Sequence, residues 1–133
     1  MASIDVSFKV QVKGGPLISS SQELVVEAYD KIDVAIEPTG QEKSIEVQPS
    51  EGSQVSFLLI KSSLYSTEAG KLTYGIDDAE QIVLDQPHLF LGPGAVSVLG
   101  NAPKIIKFKN AYPNEEKNRA ELEILVGRDA TPE

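Results

Sequence analysis

The chain has no cysteine, no tryptophan and only one histidine among its 133 residues. Without cysteine it can form no disulfide, no thiolate metal site and no cysteine nucleophile. The single imidazole, His88, excludes metal centres that need two or more histidines from one chain. Because carbohydrate-binding surfaces often use flat aromatic platforms, the absence of tryptophan also weakens a sugar-binding interpretation.

Basic residues are scarce as well. The chain has 12 Lys and Arg against 20 Asp and Glu, which gives a net charge of -8. Such a chain repels phosphate backbones, so we expect no duplex nucleic acid as a partner. The first residues lack a basic region followed by an apolar run, and no stretch reaches the length of a membrane span. We therefore predict no signal peptide and no membrane partner, with a cytoplasmic location by default.

Alternation of apolar and polar residues dominates the chain. Over residues 4–13 the even positions are apolar and the odd positions polar, which predicts a strand with one dry and one wet face. The pattern recurs over 32–37, 72–76 and 120–126, while residues 55–60 are apolar enough to lie inside a sheet covered on both faces. Frequent Gly and Pro separate these segments. We predict a single domain over 1–133, an all-β antiparallel β-sandwich or jelly roll of about nine or ten short strands.

Sequence motifs for catalysis are missing. Gly92-Pro93-Gly94 lacks the third glycine of a dinucleotide-binding loop. His88 and Asp85 could act together as a general base only if the chain turns between them, since residues three apart on a strand face opposite sides. The alternative interpretation makes His88 a partly buried residue at a strand start, hydrogen-bonded to backbone. We favour that alternative and predict no enzyme, no catalytic residue and no cofactor.

Four acidic residues near the middle of the chain are weak candidates for a cation site. Calcium binds six to eight oxygen ligands, and carboxylates from loops of β-sandwiches can supply them. The cluster lacks an alternating Asp-x-Asp-x-Asp arrangement, and it also fits a polar turn between two predicted strands. We therefore predict no metal site, with these residues as the candidates should one exist: Asp77, Asp78, Glu80 and Asp85.

One segment, residues 86–103, contains no Asp, Glu, Lys or Arg. The core of a protein interface is depleted of charge, whereas a solvated outer face normally carries charges. Its three Pro and three Gly should prevent a helix, so we predict strands in which Val96 and Val98 face the core. Internal burial is the alternative. The residues predicted to contact a second copy are Leu89, Phe90, Ala95, Ser97 and Leu99.

The last two predicted strands suggest a charge ladder. If they pair as a hairpin, outward lysines on one strand meet outward glutamates on the other. The predicted pairing joins Lys107 and Lys109 to Glu121 and Glu123.

Small acidic jelly-roll chains often act as ring-forming or shell-forming subunits, as in nucleoplasmin-like and viral coat proteins, but that analogy is architectural and rests on no motif here. We expect a non-enzymatic structural or assembly protein that forms a homo-oligomer. The alternative is a ligand-binding β-sandwich for a sugar, another small molecule or calcium, with Tyr65 and Tyr112 as candidate sugar contacts beside predicted turns.

Overall fold

The computed structural model describes residues 2–38, 41–46, 54–66, 71–76, 81–99, 105–113, 115 and 118–129. Within those ranges the chain is built from strands and one helical turn. In chain order they are β1 (Ala2–Gln11), β2 (Leu17–Val26), β3 (Ala28–Ile36), β4 (Gln41–Glu46), β5 (Gln54–Ser62), β6 (Leu72–Ile76), β7 (Ile82–Val83), β8 (His88–Leu91), α1 (Pro93–Val96), β9 (Ile105–Asn110) and β10 (Ala120–Asp129). A 3-10 turn, Ser97–Leu99, follows α1 directly.

Eight of these strands form two four-stranded sheets, with the orders β3-β10-β5-β8 and β4-β9-β6-β7. All of the strand pairings are antiparallel. Inward side chains of both sheets join in one hydrophobic core, to which Ile60 and Ile124 contribute from the first sheet and Tyr74 and Phe108 from the second. The prediction of an all-β antiparallel sandwich is confirmed, and we refer to these eight strands as the body.

Strand β5 confirms the interpretation of residues 55–60 as a sheet interior. It lies between β10 and β8. Leu58 and Ile60 belong to the core between the sheets. Phe57 has the opposite parity and is also buried, on the outer face of the same sheet.

That outer face is covered by the base of a separate hairpin, which we call the arm (β1, β2 and the loop between them). A Cβ built on Gly127 of β10 would lie 2.9 Å from Ile4 Cδ1 and 3.1 Å from Val26 Cγ1, so both ends of the arm pack on the sheet here. The Glu27 N–H also donates to the Arg128 carbonyl at 3.1 Å. The arm is therefore attached to the body at its base.

The two sheets are connected by Asn110, at the end of β9, which is fully buried. Its Nδ2 donates to the Ile36 carbonyl at 3.0 Å and to the Asn118 carbonyl at 2.7 Å. Its Oδ1 accepts from the Tyr112 N–H at 3.1 Å. Because a buried backbone carbonyl without a partner is costly, this one side chain stabilises the end of β3, the end of β9 and the approach to β10.

The expected strand over 95–99 is wrong, because the chain turns helical at Pro93. Proline has no N–H to lose at the start of a helix, and its fixed φ suits that position. The helical turns change which side chains face inward. Val96 is buried as expected, but Leu99 is buried and Val98 is 80% exposed, so the predicted orientations of these two residues are wrong.

The predicted ladder across a β9–β10 hairpin is also wrong, because β9 and β10 lie in different sheets. It involved Lys107, Lys109, Glu121 and Glu123. Alternation gives the same inward and outward positions whether two successive strands pair or belong to facing sheets, so it could not distinguish these cases. Lys109 lies opposite Glu42 of β4, and Glu123 lies 3.2 Å from the Lys31 ammonium.

Candidate functional site

His88, the only imidazole, begins β8 and has a partly buried side chain. Its Nδ1 lies 2.6 Å from the Tyr74 hydroxyl. Burial raises the pKa of Tyr74 above its usual value, and the nearby charge of Asp85 adds to the rise, so the phenol keeps its proton. The hydroxyl and Nδ1 therefore share a hydrogen bond whose donor is set by the tautomer of the imidazole.

The third member of this group is Asp85, whose Oδ1 lies 3.6 Å from His88 Nε2. The chain bends at residues 85 and 86, so the turn that their pairing requires is present. The separation is longer than a hydrogen bond, and Asp85 is largely exposed. The partly buried position of His88 at a strand start is confirmed, but its hydrogen-bond partner is the Tyr74 side chain rather than backbone.

An apolar depression of about 670 Å³, which we call the groove, opens beside His88. Both β8 and the helical segment after it contribute to its walls, and the ring of Phe90 meets that of His88 edge to face at 6.3 Å. Leu89 is partly exposed here, and Val98 stands almost free at the rim. The lining residues are Tyr74, Ile82, Pro87, His88, Leu89, Phe90, Val98 and Leu99.

The residues predicted to contact a second copy divide into two sets. Leu89, Phe90 and Leu99 come together in the groove, although Leu99 is already buried within its own chain. Ala95 and Ser97 lie instead on the helical turns, where the Ser97 hydroxyl donates to the Gly94 carbonyl at 2.6 Å. The alternation of apolar residues could not identify Val98 as an exposed residue of the groove, because it placed this side chain in the core.

A second apolar surface lies on the arm. The register places Val10 opposite Ile18 and Phe8 opposite Ser20, so Phe8, Val10 and Ile18 share one face. We call these three residues the tip. The same face is buried at the base, at Val6 and Val26, but all three tip side chains are exposed. The sequence placed Phe8 and Val10 on a dry face, and this is wrong for a single copy of the chain.

The candidates for a cation lie mostly beyond the described residues. Asp77, Asp78 and Glu80 are outside them, and only Asp85 is inside. In the part of the chain that the structure describes, no three potential ligand side chains are grouped closely enough to hold a metal ion.

The two tyrosines considered for sugar binding are tied into the body. The Tyr112 hydroxyl donates to the Tyr65 carbonyl at 2.9 Å, and the Tyr65 hydroxyl accepts from the Ser62 N–H at 3.1 Å. Tyr112 is also buried. The Tyr112 ring therefore offers no open flat face on which a sugar stacks, and the Tyr65 ring is partly buried against the core.

A search for membrane-spanning helices and a comparison with known proteins complete the description of the chain. Among the described residues, no helix has the length and apolar character to cross a bilayer. No known protein family, curated protein or solved structure matches the chain significantly.

Proposed function

We propose that the protein is a non-enzymatic assembly protein whose copies form a homo-oligomer. The observation that carries this proposal is the exposed tip, Phe8, Val10 and Ile18. An isolated two-stranded hairpin is at best marginally stable in water, and a cluster of exposed apolar side chains marks a protein contact. The body buries the base of the arm and lies beside Phe8 at Leu91 and Gly92. Val10 and Ile18 are more than half exposed, so a contact beyond this single chain explains their apolar side chains.

The charge distribution supports contact between identical copies. Residues 2–26 contain two acids, Asp5 and Glu23, and two bases, Lys9 and Lys13, so the arm has a net charge of zero in a chain of -8. Copies with this overall charge repel one another, which favours association through their neutral surfaces. The uncharged segment 86–99 is a second surface of this kind.

The strand pairing supports a jelly-roll architecture for the body, which we propose as part of this assignment. Within the body the first strand pairs with the last (β3 with β10), the second with the seventh (β4 with β9), the third with the sixth (β5 with β8) and the fourth with the fifth (β6 with β7). This nested pairing is that of one long hairpin rolled into two sheets. Jelly rolls occur in shell-forming proteins as well as lectins, so the architecture is compatible with assembly without proving it.

Light scattering coupled to size exclusion tests the proposal on the full chain. We expect a defined multiple of the 14.3 kDa chain mass. Val10→Glu should reduce the mass, because it places a charge in the apolar contact. Val25→Glu is a matched control, since Val25 is on the opposite face of the arm and is 54% exposed against 57% for Val10. A monomer at every concentration would overturn the proposal and favour the ligand-binding alternative.

A further inference from the structure

We infer that the tip of one copy docks in the groove of a neighbouring copy. This inference rests on the proposed homo-oligomer and names the two surfaces that form its contact. Phe8, Val10 and Ile18 come from one chain, and Leu89 and Val98 come from the next.

The two surfaces have matching chemistry. The tip presents three large apolar side chains. Among the described residues that line the groove, none is acidic or basic apart from His88, beside which Asp85 lies at 3.6 Å. Contact between them would cover Leu89 and Val98, which the body leaves exposed. A cationic partner would be drawn to the acidic surface elsewhere, whereas these neutral surfaces suit a second copy of the same acidic chain.

The chain's own arm meets β8 at the end of the strand rather than in the groove. Phe8 and Leu24 line a small depression with Leu91 and Gly92, whereas the groove is lined by the three preceding residues of β8, His88, Leu89 and Phe90. The arm continues past Phe8 to the loop at residues 12–16, at about 3.3 Å for each residue. Each copy therefore offers a tip and a groove at different places.

A contact between two different surfaces is heterologous. Such contacts join copies head to tail, and they form a closed ring when the rotation between copies closes. Every copy in the ring then both donates a tip and receives one.

Cysteine cross-linking can test this contact cleanly because the native chain contains no cysteine. Two single variants, Val10→Cys and Val98→Cys, are mixed and oxidised. A disulfide needs Cβ atoms roughly 3.5–4.5 Å apart, so we expect about tenfold more mixed dimer than from a control mixture of Val25→Cys with Val98→Cys. All three valines are exposed, so the substitutions leave the core intact.

The possible results separate the inference from the proposed function. An oligomer by light scattering without the Val10–Val98 cross-link overturns the inference and leaves the homo-oligomer standing. A monomer overturns both. Two further results overturn the inference alone. One is a cross-link between position 10 of two copies that forms in preference to the mixed dimer, which means that two tips contact each other. The other is an intramolecular disulfide in a chain that carries both Val10→Cys and Val98→Cys, which means that the chain's own arm occupies the groove.

Discussion

The body and the arm are built from strands with the same alternation, yet they differ in what covers the apolar face. In β10 of the body, Leu122 and Ile124 are buried while Glu121 and Glu123 are exposed. In β1 of the arm the equivalent apolar position, Val10, is exposed. Alternation therefore tells which residues share a face, but whether that face is dry depends on a second layer.

This difference has an energetic consequence. Burial contributes roughly 25 cal/mol per Å² of apolar surface removed from water. The facing sheets of the body remove most of their inward surface from water, whereas the arm is covered at its base and only in part at Phe8. A single copy thus gains its stability from the body, and the tip contributes once another copy covers it.

The largest expected effect comes from replacing a phenylalanine of the body by alanine, and the same replacement in the arm provides the comparison. Phe108 is fully buried and packs on Tyr74 with ring centroids 5.8 Å apart, so Phe108→Ala should lower the free energy of unfolding by about 3–5 kcal/mol. Phe8 is 38% exposed, and Phe8→Ala should cost below about 1 kcal/mol in a dilute single copy. Urea unfolding of both variants measures the difference.

Protein concentration sharpens this test. Partner binding to the native state stabilises it by mass action. The loss caused by Phe8→Ala should therefore grow with protein concentration, because the tip is covered only in the oligomer. The loss caused by Phe108→Ala should stay nearly constant. Equal concentration dependence for the two variants would contradict the distinction between arm and body.

Much of the fold could be predicted from periodicity, but the arrangement of its strands could not. The sequence identified the strand character of β1, β3, β5, β6 and β10, and the position of β5 inside a sheet. It could not tell that β9 and β10 lie in different sheets. The alternation within a strand determines which of its residues share a face. Which strands pair depends instead on contacts between residues far apart in the chain, as in β3 with β10.

Polar contacts were the least predictable part of the candidate site. Asn110 has no distinctive local context, and its role depends on a carbonyl 74 positions earlier in the chain. The sequence singled out His88, but no spacing rule joins it to Tyr74, which lies on a strand of the other sheet. The helical turn at Pro93 had a local signal, since proline is favoured in the first turn of a helix.

The joint between the two regions offers the next test. An alanine Cβ at Gly127 would lie 2.9 Å from Ile4 Cδ1 and 3.2 Å from Phe57 Cβ. The end of the isoleucine side chain can move, but the added Cβ would also lie 3.1 Å from Val26 Cγ1 at the base of the arm, with Phe57 Cβ of the paired strand on its other side. Gly127→Ala should therefore push the arm outward and lower the free energy of unfolding by about 1–2 kcal/mol, since overpacking outweighs the gain from a less flexible unfolded chain.

Hydrogen exchange locates that effect. We expect faster exchange of β1 and β2 amides in Gly127→Ala, because the anchor of the arm is weakened, and little change in β9. Glycine 94, where a Cβ would meet nothing within 4 Å, provides the control Gly94→Ala. Unchanged exchange in the arm would mean that its base is not held at Gly127.

The smallest effect concerns the hydrogen bond inside the body between the Tyr74 hydroxyl and His88 Nδ1. Tyr74→Phe removes the hydroxyl and with it this bond, so it should lower the free energy of unfolding by about 0.5–1.5 kcal/mol near neutral pH. The pKa of Tyr74 is raised in the folded chain by burial and by Asp85, whereas an unfolded tyrosine ionises near its usual value. The contribution of Tyr74 to the free energy of unfolding is therefore complete below about pH 10 and falls above it, by up to about 1.4 kcal/mol per pH unit.

Urea unfolding from about pH 8 to pH 11 measures this change, and the difference in free energy of unfolding between the wild type and Tyr74→Phe should shrink as the pH rises. Residues 2–26 contain no tyrosine, so alkaline pH should weaken the body in this way and not the arm. A constant difference between the two proteins across that range would show that Tyr74 ionises equally in both states.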